Sequence, residues 1–359
     1  MKGTNGHNTI TGTPTNPHNP NYYPGGSSSA SATTVASNLL PLTLGRDGGG
    51  SIRIPSTYCG IYGLKPTHSR VGQSPTVSIA LSTSVTGPMA SSIADLELGY
   101  RTLATPDPFN KASSQFSPPI PPSPSSSSSK KRPLGICKPW FDAADPAVLN
   151  LCHEALAHYT SLGYETISID LPYLHEGQLA HTMTISAEAG TAVSNIRDFT
   201  PSTQLVLATC GQTPAQDFLL AQKMRNLLMT HLAFLWKKYP GLLIVTPTTP
   251  NAGWEIRALA DLEREVSDSN MALRNMTYIW LANFTGCPAI AVPVGRAEGK
   301  NGKGQGKVPV GLMAMAEWGD EEALFEWGRV AEEWAWGKEG KMEKPEGWID
   351  VLGLAAVRK

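Results

Sequence analysis

Apolar residues fall at helical spacing in several stretches of the chain. After Pro214 the sequence AQDFLLAQKMRNLLMTHLAFLWKK places Leu, Met and Phe on one stripe and polar residues on the other, which predicts a long helix over Pro214–Lys238. Asp145-Pro146 opens a second helix that runs to Leu162, with proline just inside its start and Gly163 after its end. Gln178–Asp198 reads as a third, carrying His181 and Glu188. Ser92-Ile93-Ala94-Asp95 is a capping-box pattern and predicts a helix through Leu103. Ala30–Leu40 is small and mildly apolar and suits a tightly packed helix. Short apolar runs predict strands at Leu40–Leu44 (buried), at LGICKPW from Leu134 and at Leu242–Val245, and alternation predicts one at Glu165–Leu171. Tyr58–Leu64 alternates large and small residues like a buried turn, and Thr86-Gly87-Pro88-Met89 reads as a Gly-Pro turn.

Polar stretches divide the chain. Residues 1–24 are rich in Asn, Thr and Pro and read as irregular. Residues 105–133 include SPPIPPSPSSSSSKKRP, too poor in apolar surface to offset ordering entropy, and read as a disordered loop. That loop separates a region at 1–104 from an α/β half at 134–336, and a Gly/Lys/Glu-rich segment at 337–359 reads as a mobile tail.

The chemistry concentrates at Gly25–Arg53, GGSSSASATTVASNLLPLTLGRDGGGSIR, where Ser27 and Ser51 lie 24 positions apart. A serine hydroxyl is a weak nucleophile and needs both a base and a site for the oxyanion. Consecutive glycine N–H groups at Gly48, Gly49 and Gly50 can bind such a charge. Linkers and phosphate-binding loops share this composition. However, no G-x-x-x-x-G-K-[ST], no G-x-G-x-x-G between strand and helix and no G-x-S-x-G elbow is present.

Two segments, PGGSSSASA at Pro24–Ala32 and GRDGGGSIRIPSTYCGIYGLKPT at Gly45–Thr67, closely resemble the amidase signature family. The resemblance implies an α/β fold with a central mixed, twisted β-sheet flanked by helices on both faces. It also implies hydrolysis of carboxamides by a Ser–cis-Ser–Lys triad. By position, Ser51 matches the nucleophile and Ser27 the serine after a cis peptide bond. Gly48, Gly49 and Gly50 match the oxyanion hole, and Ser28, Asp47 and Arg53 match loop-supporting residues. Ala30 and Arg46 depart from the family pattern, which has glycine and a small residue there. Three segments, Leu242–Trp254, Tyr278–Val294 and Val308–Met315, resemble the family's C-terminal half, where strand ends and loops enclose the acyl or amide pocket.

No triad lysine is found. In the family it lies several dozen residues upstream of the cis-serine, whereas the one lysine before Ser27 here is Lys2. The expectation is a single amidase-signature domain over 1–359 that lacks its N-terminal part, acting as an impaired amidase. The alternative is an inactive remnant or a small-molecule binding protein. Lys65 and His68 lie near Ser51 in sequence but read as a structural and a surface residue.

Hydrophobic residues make up 41%, enough for a sizeable core. A net charge of −1 argues against a nucleic-acid partner, and nothing points to tRNA or to a partner protein. Cysteines 59, 137, 152, 210 and 287 are odd in number and match no zinc spacing, so they read as reduced thiols of an intracellular, cytoplasmic protein. No secretory signal or membrane span is visible. The partner expected is a small-molecule amide substrate, with neither metal nor cofactor, and the oligomeric state is not legible.

Overall fold

The computed structural model of the 359-residue chain describes residues 5–8, 11–76, 79–119, 131–258, 262, 268–299, 306–337, 341–345, 348–351 and 354. Among them the strands are β1 (Tyr22–Tyr23), β2 (Leu42–Asp47), β3 (Tyr62–Lys65), β4 (Val85–Ala90), β5 (Leu134–Ile136), β6 (Thr166–Ser168), β7 (Leu243–Pro247), β8 (Trp254–Glu255), β9 (Ala289–Glu298) and β10 (Lys307–Met315). β1 pairs with β8, and the others form an eight-stranded sheet in the order β2-β4-β3-β9-β10-β7-β5-β6. β5 lies parallel to β6 and β7 while the remaining ladders are antiparallel, so the sheet is mixed.

Helices cover both faces. Side chains on a strand point alternately to opposite faces. Arg53, on the helix Arg53–Tyr58, reaches Met313 of β10, and a Cβ added at Gly311 would meet Thr57 of the same helix. On the other face, Gly328 of the helix Glu321–Trp336 lies against Ile290 of β9. Covered on both sides, β9 and β10 read as nearly continuous apolar runs rather than alternating ones.

Several elements differ from the sequence reading, each for a local reason. The first helix is Ser29–Ala36 and stops short of Leu40, because Asn38 turns to φ +58°. β2 starts only at Leu42 and is an edge strand with β4 as its neighbour, so Leu44 is 50% exposed rather than buried, and Leu40 precedes the strand at 51%. Thr86–Met89 lies within β4 and is not a turn. Proline is tolerated there because the β3–β4 ladder covers just Ala90 and Met89, before Pro88 is reached. Tyr58–Leu64 resolves into the end of a helix and the start of β3, with the chain reversing at Gly60, φ +67°.

The predicted Gln178–Asp198 helix begins earlier, at Leu174, and ends at Ala192; a separate 3-10 turn follows at Ile196–Asp198. The helices Pro201–Cys210 and Glu321–Trp336 were not legible. The helices at Pro146–Ser161 and Ala215–Lys238 stand where the pattern puts them.

Residues 105–119 fold back onto the domain rather than forming part of a disordered loop. Ser113 is buried, Arg70 Nη1 donates to the Ser117 carbonyl at 2.7 Å, and Arg101 Nη1 donates to that of Pro119 at 3.0 Å. The Pro/Ser run at 120–130 lies outside the described residues, as does part of the tail. Where the tail is described it is docked: Ile349 N donates to Ser37 O at 3.0 Å, and Ile349 O accepts from Asn38 Nδ2 at 2.9 Å. All five cysteines are free thiols, four of them buried. No helix among the described residues is long and apolar enough to cross a membrane.

Candidate active site

The two serine clusters meet where the helix Ser29–Ala36 lies along β2. Ser31 Oγ donates to Leu44 O at 2.8 Å and Thr43 Oγ1 donates to Ser31 O at 3.1 Å, which fixes the helix to the strand. Ser28 N donates to Ser51 O at 3.1 Å, joining the turns directly. Ser28 Oγ accepts from Arg46 N at 3.2 Å and donates to Arg46 O at 3.4 Å. The Gly26–Ser27 peptide bond is cis.

Ser27 and Ser51 line one cavity of about 350 Å³ together with Gly48, Gly49, Arg46 and Ser84. Its apolar wall is Ile79, Ala80, Ile185 and Phe199.

Behind the glycine turn lies a fully buried ion pair. Arg53 Nε donates to Asp47 Oδ2 at 3.0 Å and Nη2 donates to Oδ1 at 3.1 Å, the two-pronged match that guanidinium and carboxylate geometry favours. Asp47 also accepts from Gly50 N at 2.7 Å, from Ile52 N at 3.2 Å and from Asn283 Nδ2 at 3.0 Å. Burial alone would raise the Asp47 pKa. The Arg53 charge and hydrogen bonds, the Lys65 charge and the Asn283 amide outweigh it and hold the carboxyl well below its ordinary range. Arg53 is itself anchored, donating through Nη2 to Ile279 O at 3.0 Å and to Asn283 Oδ1.

This network refines the role of Gly50. The sequence groups it with the oxyanion donors, but its N–H is given to Asp47, and Gly48 and Gly49 line the cavity in its place. Gly50 takes φ +97°, and a Cβ there would come within 2.6 Å of Ile279, so only glycine fits.

Two further buried groups adjoin the turn. His181, on the helix Leu174–Ala192, hydrogen-bonds through Nε2 to Gly48 O at 3.0 Å, and its Nδ1 has no partner. Nε2 therefore carries the proton as donor. Burial, opposed by the Gly48 bond and aided by the Arg53 charge, lowers its pKa to about 4. Lys65, on β3, is fully buried and donates to Pro66 O at 3.0 Å. Burial and then the Arg53 charge lower its pKa to about 7, against the pull of Asp47.

The structure brings Ser27, Ser28, Ser51, Gly48, Gly49, Gly50, Asp47 and Arg53 into one continuous assembly. Lys65 lies behind it and does not line the cavity, and Lys2 is outside the described residues. Trp254, Trp280 and Met313 are core residues. Sequence reasoning noted Arg46 only as a departure and His181 only as a helix residue. Ser84, Ile185 and Phe199 reach the cavity from elements distant in sequence and gave no signal. Among the described residues no three His, Cys, Asp or Glu side chains converge as a metal would require.

A mixed sheet with helices on both faces holds a glycine–serine turn over a small cavity. The chain belongs to the amidase family, whose family model, described as Amidase, matches residues 1–325. It is 33% identical to a fatty acid amide hydrolase of Medicago truncatula over 365 residues, covering 98% of this chain and 58% of that protein. It is 30% identical to a component of the glutamyl-tRNA(Gln) amidotransferase of Thermus thermophilus, covering 86% of this chain and 68% of that one. Among solved structures it resembles an inhibitor-bound vestigial protein complex described as revealing the evolutionary origins of an s-triazine catabolic enzyme. The TM-score is 0.77 at 26% identity, covering 92% of this chain and 71% of that one. The chain thus spans little more than half the length of the fatty acid amide hydrolases it matches, 58% and 54% of two of them.

Proposed function

We propose that this chain is an amide hydrolase that works through a serine acyl-enzyme. The observation that carries the reading is the meeting of Ser51, Ser27, Gly48 and Gly49 at one cavity. Ser51 Oγ attacks the carboxamide carbon and passes its proton to Ser27, while Gly48 and Gly49 N–H groups take up the charge on the carbonyl oxygen. Ammonia or an amine leaves, and water releases the acid and restores the Ser51 hydroxyl. The Asp47–Arg53 pair does not react; it holds the turn in shape.

The relay needs an amine that accepts a proton beyond Ser27. Among the described residues that line the cavity none is an amine, and on this reading the chain is an amidase of reduced activity. The same observation favours a second reading, a cavity that binds amides without cleaving them.

Treatment with a fluorophosphonate and peptide mass analysis separates the two. The hydrolase reading expects the adduct on Ser51, together with ammonia release from simple carboxamides that Ser51→Ala abolishes. A folded protein with an unlabelled Ser51 would leave the binding reading standing.

A further inference from the structure

We propose that a second cavity, beneath the C-terminal segment, binds a small apolar amino acid, with Glu332 taking its ammonium group and Lys344 its carboxylate. The site is separate from the serine cavity and does not depend on the reading of Ser51.

This cavity has a volume of about 240 Å³ and shares no lining residue with the first. Val35, Ala36, Cys59 and Ile61 supply apolar wall, and the indoles of Trp336 and Trp348 extend it. Glu332 and Lys344 are the charged side chains among the described residues that line it, and no ion pair joins them. The charges nearby are closed on one another: Glu343 pairs with Arg296, Arg329 with Glu97 and Lys341 with Glu154. His18, also in the wall, hydrogen-bonds through Nε2 to Cys59 O at 3.1 Å, and burial lowers its pKa to about 4, so it adds no charge at neutral pH. Opposite charges held apart on one apolar cavity match a zwitterion with an apolar side chain. A simple anion or cation would meet one repulsive group there.

Both charges are held in place. Glu332 Oε1 accepts from Ile93 N at 2.9 Å, at the start of the helix Ile93–Leu103. Burial, with Asp95 and Glu333 adding to it, raises the Glu332 pKa against the Ile93 bond and the Arg329 charge. A carboxylate short of solvation gains from a further donor, which an ammonium supplies. Lys344 Nζ lies 3.8 Å from the centre of the Trp348 ring, a cation held on an aromatic face. That segment is anchored in turn, because Ile349 bonds through its N and O to Ser37 and Asn38. The volume falls below the ~300–1,000 Å³ of ordinary ligand sites, which suits a molecule of amino-acid size. Glu332, Trp336, Lys344 and Trp348 all lie beyond the residues 1–325 that match the family.

The test uses the full chain and three probes on one skeleton, with binding read by calorimetry. They are leucine, 3-methylbutylamine, which lacks the carboxylate, and 4-methylpentanoate, which lacks the ammonium. Leucine should bind at least about ten-fold more tightly than either, the scale of a hydrogen bond to a charged group. Glu332→Gln should weaken leucine and the amine but not the acid. Lys344→Met should weaken leucine and the acid but not the amine. Should Glu332→Gln misfold, the exposed position of Lys344 keeps the second variant decisive. Ser51→Ala should bind leucine as the parent does. Equal binding of the three probes, no binding of leucine, or a leucine affinity that neither Glu332→Gln nor Lys344→Met moves would overturn the proposal. So would loss of leucine binding in Ser51→Ala, which would assign the ligand to the serine cavity.

Discussion

Lys65 keeps an amine where water does not reach, beside a buried arginine. Its pKa falls from 10.5 to about 7 in the folded protein, so between those values the unfolded chain binds up to one proton more. Stability contributed by this residue therefore rises with pH through that window and is lost on the way down. The stability difference between the parent and Lys65→Met should change by up to ~1.4 kcal/mol per pH unit from neutral to pH ~10. Urea denaturation at several pH values reads it, and a flat difference would show that Lys65 ionises as it does in water. Asp47→Asn makes a second case, because it leaves Arg53 buried and without its full counter-charge. A loss of ~3–5 kcal/mol is expected, with weaker fluorophosphonate labelling of Ser51. A variant as stable and reactive as the parent would remove the supporting role. At this scale the serines, the glycines and the Asp–Arg pair were legible because they stand in contiguous words. Arg46 and His181 were not, since their environments come from Gln73 and Gly48, brought near only by the fold.

The helix Ile93–Leu103 starts as its sequence dictates. Ser92 Oγ accepts from Asp95 N at 3.1 Å, so Ser92→Ala should lower stability by ~1 kcal/mol with an unchanged denaturant slope. A change below ~0.3 kcal/mol would mean that tertiary packing alone sets this terminus. Long amphipathic helices and caps were readable because one turn of sequence determines them. β4 was misread because glycine and proline normally signal turns. Here glycine is required by close packing, since a Cβ on Gly87 would come within 2.2 Å of Leu64 O, and proline is tolerated because the ladder to β3 ends at Met89. The exposed Leu44 was misread because a short apolar run does not reveal whether its strand is central or at the edge.

Acid should act on the molecule as a whole. His181 is fully buried with a pKa near 4 against 6.5 in the unfolded chain, and half-buried His18, also lowered to about 4, adds a solvent-screened fraction. Unfolding takes up protons in this window, so stability falls from pH 6.5 towards 4 and levels off for these groups below it. His181 alone accounts for ~3 kcal/mol of that fall, and His181→Phe should reduce the slope. An identical slope in the variant would show that the histidine protonates freely in the folded state. The assembly around Asp47 also spans the chain, since Asn283 contributes from 236 residues away and Ile279 caps Arg53 from 226. During synthesis, therefore, the residues of the serine turn leave the ribosome long before their supports. A nascent chain that has not yet reached Asn283 holds Asp47 and Arg53 without their distant partners. The serine turn therefore gains its full support only after Asn283 has been made, well after its own residues.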